Sequence, residues 1–134
     1  MKKEDLLALW KGINWEKRDS GIYFLGQCRN KAVDIHFTGY CEQDLLLLSD
    51  DLMSRLYRDL EQIDKKAQKV IQDNWPDEAI SELELTELIF DKNGSYGEFA
   101  LGYDAGDSLA GPLYLLVKFD KQFQAAREVI CEIY

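Results

Sequence analysis

Hydrophobic residues recur along this chain with two different periods, and each change of period marks an element. Leu6, Leu7 and Trp10 are spaced by three and four, which predicts a short helix over residues 4 to 11 closed by Gly12. From Gly21 the period falls to two. Ile22, Phe24 and Cys28 alternate with Tyr23 and Leu25, and Val33, Ile35 and Phe37 alternate with Asp34, His36 and Thr38, the pattern of a half-buried hairpin. A two-residue turn at Asn30-Lys31 pairs Cys28 with Val33 and leaves Ile22, Phe24, Val33, Ile35 and Phe37 on one face. An odd-length turn would mix them with Asp34 and His36.

The period then lengthens to that of a helix. Leu52, Leu56, Leu60, Ile63, Ala67, Val70 and Ile71 form one stripe down a segment from Ser49 to Asn74. Ser49 offers an oxygen to the first free amides, and Asp50 and Asp51 set negative charge at the positive end of the helix dipole. Pro76 ends the segment, because Trp75 before it is driven away from helical ψ. Strand signal returns in "LELTELIF". A turn at Asn93-Gly94 pairs Leu88 with Phe99, Thr86 with Leu101 and Phe90 with Gly97, giving a face of Leu88, Phe90, Phe99, Leu101 and Tyr103. A further strand runs from Leu113 to Phe119, with Leu113, Leu115, Val117 and Phe119 on one side. The tail from Phe123 to Tyr134 suits helix or strand, and the alternation in "EVICEIY" favours a final strand.

The order is hairpin, long helix, then a three- or four-stranded meander, within a single domain spanning residues 1 to 134. A helix with one apolar stripe covers a sheet with one apolar face. The predicted class is therefore α+β: a two-layer α/β sandwich with an antiparallel sheet and the long helix packed on one face. The opposite sheet face, bearing Tyr23, Leu25, His36 and Thr38, is a candidate contact surface.

Composition narrows the functional classes. With 46% hydrophobic residues among 134, the chain can bury a core without staples. Sixteen basic against 25 acidic side chains give a net charge of -9, which repels phosphate backbones and disfavours nucleic acid as a partner. A basic protein is attracted instead. The apolar stretch near the N-terminus, Leu6 to Trp10, is too short for an export signal, and "DLLLLSDD" is too short for a membrane span. Cys28, Cys41 and Cys131 are odd in number and far apart, as expected of reduced thiols in the cytoplasm, and none is spaced as CxxC.

Chemistry-bearing motifs are sparse. The chain has one histidine, His36, and the hairpin parity puts it on the opposite face from Cys28, so the two cannot form a nucleophile and base pair. Neither a G-x-S-x-G elbow nor a phosphate-binding loop occurs. Counted from Asp91, the glycine and glutamate places of a calcium-binding EF-hand are held by Tyr96 and Gly102. Asp104, Asp107 and Ser108 lie in an expected loop of about eight residues with Gly106 and Gly111, where two carboxylates would hold a cation weakly and Asp side chains more often bond their own backbone. Carboxylate pairs drawn from Glu82, Glu84, Glu87 and Asp104 have no specificity in so acidic a chain. No catalytic residue, cofactor or metal-ligand set is assigned.

The segment "FDKNGSYGEFALGYDAGDSLAGPLYLLVKFD", preceded by a long helix containing "LEQIDKKAQKVI", resembles small bacterial families catalogued as domains of unknown function. The resemblance implies a cytosolic two-layer α/β sandwich, and some such relatives are associated with toxin systems as immunity proteins. The expected function is a non-enzymatic protein-binding module, an immunity-type inhibitor of a basic toxin. Its candidate contacts are Tyr103, Asp104, Asp107 and Ser108, with Glu42, Asp44, Asp50 and Asp51 as a second acidic patch. The alternatives are a metal-dependent small-molecule binder or enzyme using the Asp104 to Ser108 segment, and a homo-oligomer joined through the open sheet face.

Overall fold

A computed structural model places residues 1–28, 30–76, 83–108 and 111–133, with backbone alone at Asp107 and Ser108; these are the residues described below. The elements in chain order are α1 (Lys3–Trp10), β1 (Ile13–Arg18), β2 (Gly21–Cys28), β3 (Lys31–Thr38), α2 (Glu42–Leu45), α3 (Asp50–Asn74), β4 (Leu85–Asp91), β5 (Phe99–Ser108), β6 (Gly111–Phe119) and β7 (Ala125–Ile133). All seven strands join one sheet in sequence order. Neighbours are antiparallel except β3 and β4, which run parallel from Asp34↔Glu87 to Thr38↔Asp91. Parallel neighbours require a crossover, and α3 is that crossover.

The α+β class, the long helix and the predominance of antiparallel pairing are as the sequence predicts. The expected two-layer sandwich with a three- or four-stranded meander is corrected to a seven-stranded sheet with one long and two short helices. Strand β1 was not predicted because "INWEKR" lacks alternation; it is an edge strand in which only Trp15 is even half-buried. The tail forms β7, the strand its alternation favours.

Both predicted hairpin registers are off by two residues. Cys28 pairs with Lys31 and Gly26 with Val33, so the first connection is residues 29 and 30, with Asn30 at φ 64°. Leu88 pairs with Leu101 and Ile89 with Ala100, because the second connection is longer than two residues and runs from 92 to 98. Its turn is set by Asp91 Oδ1, which accepts the Asn93 N–H at 2.8 Å, and by Gly94 at φ 77°. A slip of two preserves side-chain parity. The predicted faces therefore stand: Ile22, Phe24, Val33, Ile35, Phe37, Leu88, Phe90, Phe99, Leu101, Tyr103, Leu115, Val117 and Phe119 all lie buried in one core cluster.

Helix α3 closes that core with Met53, Leu56, Leu60, Ile63, Ala67 and Ile71. Ser49 Oγ accepts the Leu52 N–H at 3.2 Å, the cap the sequence predicts. Beneath the helix, aromatic rings line up across the sheet: Trp15 on Phe24 (5.6 Å), Phe24 on Phe37 (6.2 Å), Phe37 on Phe90 (4.7 Å), Phe90 on Phe99 (6.2 Å) and Phe99 on Phe119 (5.1 Å). Each strand from β1 to β6 contributes one ring. Among the described residues no helix is long and apolar enough to cross a membrane.

Polar contacts also hold the helix in place, among them Asn74 Nδ2, which donates to Arg127 O on β7 at 2.9 Å. Tyr103 is fully buried, and its hydroxyl donates to the Asp64 carboxylate on α3; burial and the Asp64 charge push the phenol far above its usual range. Gln68 Nε2 donates to Asp64 Oδ1 at 3.2 Å and to Leu83 O at 3.0 Å, while Gln68 Oε1 accepts the Leu83 N–H at 3.0 Å. Removing the phenolic donor leaves the enclosed side of Asp64 short of a partner. Tyr103→Phe is expected to lower stability by about 1–3 kcal/mol, read as an earlier urea midpoint with an unchanged slope; an unchanged midpoint would remove Tyr103 from these contacts.

Candidate functional site

With α3 covering one face, the other face of the sheet carries two rows of side chains fixed by register. The first row is Leu25, Asp34, Glu87, Gly102, Leu116 and Ile130, and the second is Tyr23, His36, Ile89, Ala100 and Lys118. Ile89, Ala100 and Leu116 make a small apolar patch with Tyr96 and Ile130 beside it. Glu87 sits at the patch margin, only 4% exposed, the one charged residue among the buried side chains described. Gly102 makes room for it: a Cβ there would lie 3.0 Å from Glu87 Cβ and 2.8 Å from Leu116 Cδ2.

The electrostatics of Glu87 are one-sided. Its Oε2 is enclosed and accepts no hydrogen bond among the described residues. His36 Nδ1 is 4.0 Å from that oxygen, within ion-pair reach but too far to donate. Burial pushes the Glu87 carboxyl up to about 7, and Asp34, Glu132 and Asp104 add to the rise. His36 is displaced the other way: burial lowers it, Asp34 opposes and Arg18 reinforces. Near neutral pH the imidazole is thus uncharged and the carboxyl about half protonated, so the two do not form a fixed ion pair. On the far side of the patch the Tyr96 hydroxyl donates to the Glu132 carboxylate, which together with burial raises the phenol to about 12.

Beside His36 lies a cleft of about 460 Å³, lined by Glu16, Arg18, Tyr23, Leu25, Asp34 and His36. An irregularity in the β1–β2 pairing between Ile13 and Glu16 shapes its outer wall. The Arg18 guanidinium lies 5.3 Å over the Tyr23 ring and pairs with Glu16, and His36 meets the same ring edge-on at 5.3 Å. A second cleft of about 400 Å³ opens between α3 and the ends of β2, β3 and β4, but the acids there already have partners: Asp64 holds Tyr103 and Gln68, and Glu84 lies 3.9 Å from Lys31. The arrangement on the uncovered face suits recognition of a cation by carboxylates and an aromatic ring.

The predicted contact residues are dispersed. Tyr103 belongs to the core and not to the surface of the acidic segment. The expected loop around Asp104, Asp107 and Ser108 is corrected to the end of a β-hairpin, with Asp104↔Tyr114, Asp107↔Pro112 and Ser108↔Gly111 paired and an irregularity between Asp104 and Asp107. Asp104 is exposed, and its Oδ1 accepts the Gly106 N–H at 2.8 Å, the local turn expected of it. The side chains of Asp107 and Ser108, and Glu82 entirely, lie outside the described residues.

In the second acidic patch, Glu42 is exposed 3.9 Å from Lys17, while Asp50 and Asp51 are exposed in the first turn of α3. Asp44 has structural work: it accepts the Cys41 N–H at 2.8 Å and Lys92 Nζ at 2.9 Å, which hold its carboxyl at about 2.

Cys28 faces the helix side, against the main core, as parity predicts, whereas Cys41 and Cys131 are exposed. Among the described residues no group of three or more His, Cys, Asp or Glu side chains could hold a metal ion. Parity in the sequence puts His36 and Asp34 on this face but does not bring Glu87, Glu16 or Arg18 to them; the available signal was a glutamate in the middle of the apolar run "LTELIF". Compared with protein-family models, curated proteins and solved structures, the chain matches none.

A carboxyl whose pKa is higher folded than unfolded keeps its proton longer in the folded state. Its contribution to stability is greatest at low pH and falls as pH rises from about 4.5 to about 7. The rise corresponds to a penalty of up to about 3 kcal/mol above that window. Glu87→Gln carries no such penalty, so its melting temperature should exceed wild type by several degrees near pH 8 and match it near pH 4. An equal difference at both pH values would refute the assignment.

Proposed function

We propose that the protein is a non-enzymatic protein-binding module that takes a basic partner on the uncovered face of its sheet, and that it acts in the cytoplasm. The observation that carries the reading is Glu87, an enclosed carboxyl whose Oε2 has no donor among the described residues, on the sheet face opposite α3. Asp34, Asp104 and Glu132 act on it with further negative charge, within a chain of net charge -9. Such a field speeds capture of a cationic protein and repels acidic ones. Tyr23 and the Ile89, Ala100 and Leu116 patch supply the aromatic and apolar contact that a charged rim alone does not. An inhibitor of a basic toxin, the role suggested by the resemblance in sequence, would use such a surface.

The test is an amide chemical-shift titration of the labelled protein with nona-arginine. Saturable shifts should cluster at Tyr23, Asp34, His36, Glu87 and Glu132 and weaken with added salt. Shifts confined to Glu42, Asp44, Asp50 and Asp51 would move the interface to the α2–α3 corner, and no shifts at all would end the basic-partner reading.

A further inference from the structure

The charged and titratable groups around Glu87 come from β3, β5, β6 and β7 and carry mostly one sign. Asp34 is directly across on β3, with His36 one row along and its Nδ1 4.0 Å away. Asp104 follows Gly102 on β5, and Glu132, holding Tyr96, lies on β7. Lys118 on β6 is in the other row, opposite Ala100. Arg18 acts on His36 rather than on Glu87. Enclosure, and then the repulsion of these neighbours, raise the carboxyl to about 7, and its inner oxygen has no donor among the described residues. One cationic side chain arriving at that point would reverse both conditions at once.

Glu87 does not line the cleft beside β1, but His36 joins the two: 31% exposed, it lines the cleft, and its Nδ1 lies 4.0 Å from Glu87 Oε2. The cleft already accommodates a guanidinium: Arg18 lies on the Tyr23 ring and pairs with Glu16, an aromatic face and a carboxylate together. The same ring and the adjacent Asp34 can guide a second cation inward.

We infer that Glu87 anchors a pocket for one cationic side chain of the partner, a lysine or arginine that enters beside Tyr23 and displaces the His36 ring to reach Oε2. This rests on the basic-partner reading and adds to it a single recognised group and a released proton.

Calorimetric titration of the full chain with tri-arginine amide, in two buffers of different ionisation heat, reads the proton directly. The expected result is release approaching one proton per site below neutral pH, with binding about tenfold tighter at pH 8 than at pH 6. Glu87→Gln should abolish the release and flatten the pH dependence, His36→Ala should retain the release, and Glu42→Gln should behave as wild type. In the free protein the Glu87 side-chain carboxyl carbon should titrate with a midpoint near 7. A midpoint in the ordinary carboxylate range, or release that survives Glu87→Gln, overturns the inference. Binding at the face without proton release overturns it while leaving the basic-partner reading standing; absence of binding at the face removes both.

Discussion

The parallel pairing of β3 with β4 is the constraint on which the rest of the molecule depends. Two neighbouring strands that run the same way cannot be joined by a tight turn, so the chain has to traverse a face of the sheet between them. The 25-residue α3 makes that traverse and carries its whole apolar stripe with it. One face of the sheet is thereby sealed into the core, and among the described elements no helix lies on the other. The asymmetry needs no binding function to explain it, but it decides where one can be placed.

The row of aromatic rings supplies the matching constraint inside the core. Phe37 and Phe90 are register partners across the parallel junction, stacked at 4.7 Å, and Phe99 and Phe119 are partners across β5 and β6 at 5.1 Å. Aromatic pairs of this kind contribute about 0.5–1.5 kcal/mol each beyond the area they bury. They also oppose a sliding of strands, because a shift of two residues keeps every side chain on its face yet separates ring from ring. Face is set by parity, and register by the rings.

That division explains what could be read from the sequence. Alternation identified every strand from β2 to β7 and put the core residues on the correct face, since an error of two residues in a turn leaves parity intact. It did not find β1, whose side chains are mostly exposed. Nor could it reveal that β3 and β4 are adjacent, and so nothing in the sequence joined Glu87 to Asp34 and His36. Tyr103 shows the opposite case. Its parity marked it as core, its position beside Asp104 suggested surface chemistry, and parity prevailed because Asp64, far away in sequence, satisfies its hydroxyl.

The pair of hydrogen bonds between the Gln68 amide and the backbone of Leu83 bears on how the halves of the sheet are joined. Leu83 is the approach to β4, the fourth of seven strands, and both of its backbone hydrogen-bonding groups are held by one side chain of α3. The β2–β3 hairpin and the β4–β7 run each close through local turns, whereas their union at the centre spans the length of the crossover helix. The central junction therefore carries the largest loop-closure cost in the sheet, and one amide side chain of α3 secures the approach to it.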